Sequence, residues 1–179
     1  MRTCTVDIVG EKVDLPVYQI GDNLSIAFFN LHGAQKLTEY CGKELAKRII
    51  GKNVDVVLTA ESKGLQLAHV VARELGHEFY AVARKSKKLY MQDGISTTTQ
   101  SITTAGEQTM YLSAHDVALL KGKRVAIVDD VISTGGSLAS LEKLVEIAGG
   151  KIACKAFVLA EGDAKDRPDV IYLGTIPLL

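Results

Sequence analysis

The sequence is poor in the residues that mark several large classes of protein. It has no tryptophan and only three cysteines in 179 residues, and its formal net charge is zero because 21 Lys and Arg balance 21 Asp and Glu. The cysteines, Cys4, Cys41 and Cys154, lie far apart with no CxxC pair, so neither a disulfide framework nor a zinc site is expected. Balanced charge argues against a general attraction to nucleic acid or to a membrane surface.

Long hydrophobic runs are missing as well. No apolar stretch approaches the roughly 20 residues of a membrane span, and the first residues lack the apolar segment of a secretion signal. With 47% hydrophobic and 23% charged residues, the composition is that of a soluble globular protein. We therefore expect one domain, residues 1–179, in the cytoplasm, with reduced thiols and with neither nucleic acid nor membrane as a partner.

The most informative stretch runs from Val125 to Ser137 and reads VAIVDDVISTGGS. Its first four residues are apolar and mostly β-branched, which predicts a central strand buried on both faces. Two carboxylates, Asp129 and Asp130, come next, followed by a loop of Ser, Thr and Gly and then by a helical pattern with one apolar face. This order predicts an anion-binding loop at the carboxyl end of a parallel sheet, where backbone N–H groups and a helix N-terminus face the ligand.

The same stretch narrows the choice of anion. No Lys or Arg lies between Asp129 and Glu142, so the lysine of a phosphoryl-transfer loop is missing. A phosphate held by amides and hydroxyls alone is better suited to anchoring a substrate than to leaving from it in a reaction. Because carboxylates accept hydrogen bonds from sugar hydroxyls, the pattern fits a sugar 5-phosphate, with its diol on the acids and its phosphate on the loop. The alternative is a purely structural strand, acidic turn and capped helix.

Around this stretch, hydrophobic periodicity predicts an α/β arrangement of strands and helices. Core strands are predicted at 54–58, 79–83, 125–128 and 152–159, helices at 33–51 and 64–75, and an outer strand at 170–173. The first 32 residues are β-rich, and Pro16 favours an edge strand there. The polar stretch between Leu89 and Ser113 contains two β-prone pieces and predicts a mobile two-stranded flap with few apolar anchors.

A run of cations, Arg84-Lys85-Ser86-Lys87-Lys88, follows the strand that ends at Ala83. On its own such a run is more often a solvated surface turn. The carboxyl ends of parallel strands share one edge of the sheet, however, so this run, Lys63 and the Asp129–Ser137 loop should open into one crevice. A positive corner beside a sugar-phosphate loop is what a pyrophosphate with its magnesium ion requires.

These motifs resemble those of the type I phosphoribosyltransferases, and the resemblance covers roughly Ala34 to Leu159. It is nearest to the adenine and xanthine phosphoribosyltransferases. The resemblance implies an α/β fold with a mostly parallel central sheet, helices on both faces, a flexible flap, a small β-rich hood at 1–32 and an α/β core at 33–179.

The resemblance also implies a set of site residues. For the 5-phosphate the residues are Ser133, Thr134, Gly135, Gly136 and Ser137, and for the pyrophosphate they are Glu61, Ser62, Lys63, Gly64, Arg84, Lys85 and Lys88. Asp129, Asp130 and Lys88 are the expected catalytic residues, and the two aspartates are also the expected Mg²⁺ ligands, directly or through water. The base is expected against Phe28, Val131 and Ile132.

The activity implied is the transfer of a 5-phosphoribosyl group from 5-phosphoribosyl 1-pyrophosphate (PRPP) to a purine base in purine salvage, by a homodimer. Adenine is favoured over hypoxanthine, guanine and xanthine, although residues 95–106 lack the acid that adenine enzymes commonly place in the flap. Lys155 and Glu161 are the candidates for reading an oxopurine instead. The alternative function is a non-catalytic sensor of PRPP or of a nucleotide with the same fold.

Overall fold

A computed structural model describes residues 2–22, 24–100 and 107–179. In chain order the strands are β1 (Thr3–Ile8), β2 (Glu11–Gly21), β3 (Leu24–Ala27), β4 (Val56–Ala60), β5 (Ala81–Ala83), β6 (Ile95–Gln100), β7 (Glu107–Leu112), β8 (Arg124–Ile132), β9 (Lys151–Glu161) and β10 (Ile171–Ile176). The α-helices are α1 (Gln35–Ile49), α2 (Leu65–Glu74), α3 (Ala114–Leu120) and α4 (Gly136–Ile147), with short 3-10 helices at Ile50–Lys52 and Gly162–Asp166. Within the described ranges, none of these helices is long and apolar enough to cross a membrane.

The centre of the fold is a five-stranded parallel sheet in the order β10-β9-β8-β4-β5. Along β8 the buried side chains alternate between two clusters. Ala126 and Val128 pack with the apolar residues of α1 and α2, and Val125 and Ile127 pack with those of α3 and α4. The prediction of a parallel sheet with helices on both faces is therefore confirmed, and β8 is its middle strand.

Strand boundaries differ from the predicted ones in ways that affect the site. β8 continues through Asp129 and Asp130 to Ile132, so the two acids lie within the strand and not after it. Within the ladder, Asp129 pairs with Phe157 of β9. Similarly, β4 begins and ends two residues later than predicted, and all five of its residues are buried.

The N-terminal residues form a separate antiparallel sheet in the order β1-β2-β3. The prediction that Pro16 marks an edge strand is wrong, since β2 lies in the middle. The reason is that β2 pairs with β1 up to Pro16 and with β3 only from Val17, so each half of the strand has one partner. Pro16 lies at the changeover, where its carbonyl accepts from the Phe28 N–H at 2.9 Å and the missing N–H costs no ladder bond.

The predicted flap is a hairpin of β6 and β7, and the part of it between 101 and 106 lies outside the described residues. Its base is well anchored, contrary to expectation. Met110 and Leu112 are fully buried in the α3–α4 cluster, and Tyr111 exchanges two backbone hydrogen bonds with Arg84. The next helix, α3, is capped at its N-terminus, because the Ser113 hydroxyl accepts from the Asp116 N–H at 3.2 Å.

Candidate functional site

The loop 133–137 joins β8 to α4 and borders a cavity of about 140 Å³. Gly135 has a φ of +85°, a left-handed conformation that glycine adopts without the cost it imposes on other residues. No side chain among the described residues caps α4, so the first N–H groups of this helix are free to bind a ligand. The loop and the helix N-terminus therefore present free N–H groups at the place where the sequence predicts an anion-binding site.

Asp129 and Asp130 lie beside this loop in different surroundings. Asp130 is only 6% exposed, and its Oδ2 has no hydrogen-bond partner among the described residues. The Asp129 carboxylate accepts from the Asp130 N–H at 2.9 Å. Removal from water, and secondly the neighbouring charge of Asp130, raises the pKa of Asp129 to about 8. Among the described residues neither acid forms an ion pair, so the pair is suited to bind a cation.

The loop after β4 comes into direct contact with the acids. A Cβ added at Gly64 would lie 2.7 Å from Asp129 Oδ1 and would collide with the Thr59 hydroxyl. No residue larger than glycine fits there without movement of one of these groups. The peptide bond between Glu61 and Ser62 in this loop is cis. Gly64 of this loop therefore lies directly against the Asp129 carboxylate.

The basic run after β5 is attached to the same loop through Glu61. The Glu61 carboxylate accepts from the Lys85 N–H at 2.7 Å, and its other oxygen lies 3.6 Å from Arg84 Nη1. A carboxylate repels a pyrophosphate, so this geometry favours a positioning role for Glu61 over direct binding. Lys85 and Lys88 are both exposed, and the charge of Lys85 acts to lower the pKa of Asp129.

The N-terminal sheet reaches the site through Phe28. Lys63 Nζ lies 4.7 Å from the centre of the half-buried Phe28 ring, within the range of a cation–π contact. The two other predicted base-binding residues point to opposite faces of β8. Val131 is half-buried on the α1–α2 side, whereas Ile132 is 2% exposed and packs in the α3–α4 cluster. Ile132 is therefore a core residue that underlies the loop and not an open wall.

Arg167 is a residue of this region that the sequence did not predict. Its Nη1 lies 2.7 Å from the position of a Cβ on Gly135, so the guanidinium contacts the loop 133–137. Nothing in the local sequence signals this approach, because the contact spans two separate segments of the fold. Lys155 is unavailable to an oxopurine, since its ammonium group donates to both Glu142 and Asp169.

Comparison with known proteins gives a consistent result. The family model of the phosphoribosyl transferase domain matches residues 31–175. The chain is 36% identical over 133 residues to an adenine phosphoribosyltransferase of Methanococcus maripaludis, covering 74% of this chain and 73% of that protein. It is 34% identical over 134 residues to one of Clostridium acetobutylicum, covering 72% and 73%.

Solved structures agree on the fold. The adenine phosphoribosyltransferase of Thermoanaerobacter pseudethanolicus superimposes with a TM-score of 0.76 at 24% identity, covering 90% of this chain and 95% of that one. The Saccharomyces cerevisiae enzyme, solved with adenine and an imino-altritol bisphosphate, gives 0.68 at 25% identity, covering 92% and 94%. The chain belongs to the type I phosphoribosyltransferase family, close to the adenine phosphoribosyltransferases.

Proposed function

We propose that this protein transfers the 5-phosphoribosyl group of PRPP to adenine, giving AMP and pyrophosphate. The observation that carries the proposal is the contact of Gly64 with Asp129, which joins the pyrophosphate loop to the acid pair beside the phosphate loop. In this proposal three groups share one edge of the sheet: a loop that binds an anion, two carboxylates that bind hydroxyls or a cation, and a basic run that binds a second anion. The relatives' name supports adenine as the base.

In this proposal the loop 133–137 binds the ribose 5-phosphate through its N–H groups and hydroxyls. Asp129 and Asp130 accept hydrogen bonds from the ribose hydroxyls, which places the anomeric carbon toward Gly64 and the basic run. The phosphate acts as a handle that fixes the sugar, and the bond that breaks lies at the other end of the ribose.

The reaction breaks the bond between the anomeric carbon and the pyrophosphate oxygen and forms one from that carbon to adenine N9 on the opposite face. The electron pair leaves with the pyrophosphate, and the N9 proton is lost from the base. As the bond breaks, negative charge grows on the pyrophosphate. In this proposal four cations stabilise that charge: Lys63, Arg84, Lys85 and Lys88. Such placed charges contribute several kcal/mol, about 3 for one good donor.

Mg²⁺ fits the acid pair. Asp130 Oδ2 is a buried oxygen without a partner among the described residues, and oxygen ligands are those that Mg²⁺ prefers. Within the described ranges no cluster of three or more His, Cys, Asp or Glu forms a closed cage, so the substrate and water would complete the coordination. Asp129 and Asp130 would hold the ion, directly or through water, and bound Mg²⁺ would neutralise charge on the pyrophosphate.

The remaining parts have roles in this proposal too. The N-terminal sheet (1–32) serves as a hood on the core (33–179), with Phe28 stacking on the purine and Val131 beside the sugar. The β6–β7 hairpin closes over the crevice and excludes water, which would otherwise hydrolyse PRPP. Free thiols at Cys4, Cys41 and Cys154 suit a reducing cytoplasm. The working unit in this proposal is a homodimer.

The direct test is product analysis. Purified protein with adenine, PRPP and Mg²⁺ should form AMP and pyrophosphate in equal amounts, and omission of any one component or addition of a chelator should stop both. Binding of PRPP without product formation would instead favour a sensor.

A further inference from the structure

The phosphate loop carries no cation of its own, but the fold brings one to it. Arg167 follows the short helix Gly162–Asp166, and its Nη1 lies 2.7 Å from the position that a Cβ on Gly135 would occupy. We propose that Arg167 is a further phosphate-binding residue, whose guanidinium stabilises the dianionic 5-phosphate held by the loop 133–137. This inference rests on the proposed function, because the phosphate is that of the PRPP ribose.

The Arg167 guanidinium is fixed in one orientation. Its Nε and Nη2 donate to the two carboxylate oxygens of Asp169 at 3.0 and 2.7 Å, the bidentate pairing that defines the plane of an arginine. Nη1 donates to no acceptor among the described residues. The edge of the guanidinium that remains free is therefore the one against Gly135. A preoriented donor loses less entropy on binding than a mobile lysine would.

Asp169 is itself held in place from the core. Lys155, whose side chain is 13% exposed, donates both to Asp169 and to Glu142 of α4. The chain Arg167–Asp169–Lys155–Glu142 thus connects β9 to the helix that begins at the phosphate loop. Two cations and two carboxylates balance, so the network is satisfied without a ligand. Lys155 and Asp169 are positioning residues, whereas Arg167 has its free donor Nη1 beside Gly135 of the loop.

The test compares binding at the proposed 5-phosphate site with binding at the proposed pyrophosphate site. We would measure the affinity of the whole protein for ribose 5-phosphate and for Mg²⁺-pyrophosphate by calorimetry, with kcat and KM for PRPP, in the wild type and in Arg167→Gln. The expected loss is roughly tenfold in ribose 5-phosphate affinity and in KM for PRPP, since the charged donor is lost. kcat should stay within about twofold and pyrophosphate affinity should not change, because neither depends on the 5-phosphate loop.

Two variants serve as controls. Arg167→Lys should recover part of the affinity, because it keeps the charge but not the bidentate hold on Asp169. Lys143→Gln removes a cation from the exposed face of α4, the helix that begins at the loop 133–137, and should bind ribose 5-phosphate like the wild type. Both, with Arg167→Gln, should unfold at nearly the wild-type temperature.

The inference is overturned if Arg167→Gln binds ribose 5-phosphate as well as the wild type does. It is also overturned if pyrophosphate affinity falls equally, since that would mark a general loss of site structure. A wild type that binds neither ribose 5-phosphate nor PRPP would overturn the proposed function itself, and this inference with it. That result is distinct from a change seen only in the variant.

Discussion

At the scale of single residues, Asp130 combines burial with an unused acceptor, since its Oδ2 is without a partner among the described residues. Asp130→Asn keeps the shape of the side chain but removes its negative charge. We expect a loss of roughly a hundredfold or more in kcat/KM, because an amide holds neither Mg²⁺ nor the ribose diol as a carboxylate does. The fold should stay intact, since no protein cation depends on this carboxylate through an ion pair in the described ranges.

The measurement is steady-state pyrophosphate release, together with thermal unfolding. Asp22→Asn is the matched control, because Asp22 is an exposed turn residue of the N-terminal sheet and its substitution should change neither quantity. Near-normal activity of Asp130→Asn would contradict the role given to the acid pair.

Substitution of Phe28 should affect the KM for the base much more than the KM for the ribose substrate. Phe28→Leu keeps an apolar side chain but loses the aromatic face, and base–aromatic stacking is worth about 1–3 kcal/mol. KM for adenine should rise by roughly tenfold, while KM for PRPP changes little. Phe79→Leu is the control, since Phe79 is 51% exposed and packs edge-to-face with His115 outside the site. An unchanged KM for adenine in Phe28→Leu would exclude stacking on this ring.

Residues of the site differ in how far the sequence predicts them. Asp129, Asp130 and the loop 133–137 lie in one continuous stretch, so local pattern and chain order were sufficient to predict their neighbourhood. Arg167 approaches Gly135 from a different segment, and only tertiary packing brings the two together. For Glu61, the sequence predicts the place but not the role, because its hydrogen bond to the Lys85 N–H depends on how β4 and β5 align.

At the scale of elements, the two strands of the β6–β7 hairpin differ in burial: β7 is anchored in the core, and β6 is more exposed. β7 is anchored by Met110 and Leu112, whereas β6 lies against α4, where the Thr99 and Ser140 hydroxyls are 2.6 Å apart. We expect β7 amides to be protected from hydrogen exchange without ligand. β6 amides should gain protection when PRPP and Mg²⁺ bind, because closure orders the less anchored strand.

Hydrogen exchange with mass spectrometry measures this difference, and the buried strand β8 provides the internal reference. Equal protection of β6 with and without ligand would argue against a closing hairpin.

The elements also show where sequence patterns fail. Apolar runs predicted the core strands, because burial on both faces leaves a continuous hydrophobic signal. The position of β2 could not be predicted from Pro16. A proline needs a place where its missing N–H breaks no ladder bond, and a change of partner at that residue provides this as well as an edge strand does. The anchoring of the hairpin was missed because its apolar residues are few, yet Met110 and Leu112 are both placed in the core.

At the scale of the whole molecule, two large apolar residues stand exposed beside the basic run. Leu89 is 96% exposed and Tyr90 is 69% exposed. An exposed adjacent pair of this kind suits contact with a second copy in the proposed homodimer. Leu89→Ser should shift the protein from dimer toward monomer in sedimentation velocity. Ile50→Ser, at an exposed position beyond the end of α1, should leave the assembly unchanged. A wild type that is already monomeric would contradict the homodimer.

The central claim is that this molecule joins adenine to the phosphoribosyl group of PRPP. Its most direct test is pyrophosphate release at saturating PRPP and Mg²⁺, with adenine, hypoxanthine, guanine and xanthine supplied singly and then in competition. The account predicts rapid release with adenine and little with the three oxopurines, which should also fail to compete. Release driven by an oxopurine in preference to adenine, or no release with any of the four, would contradict it.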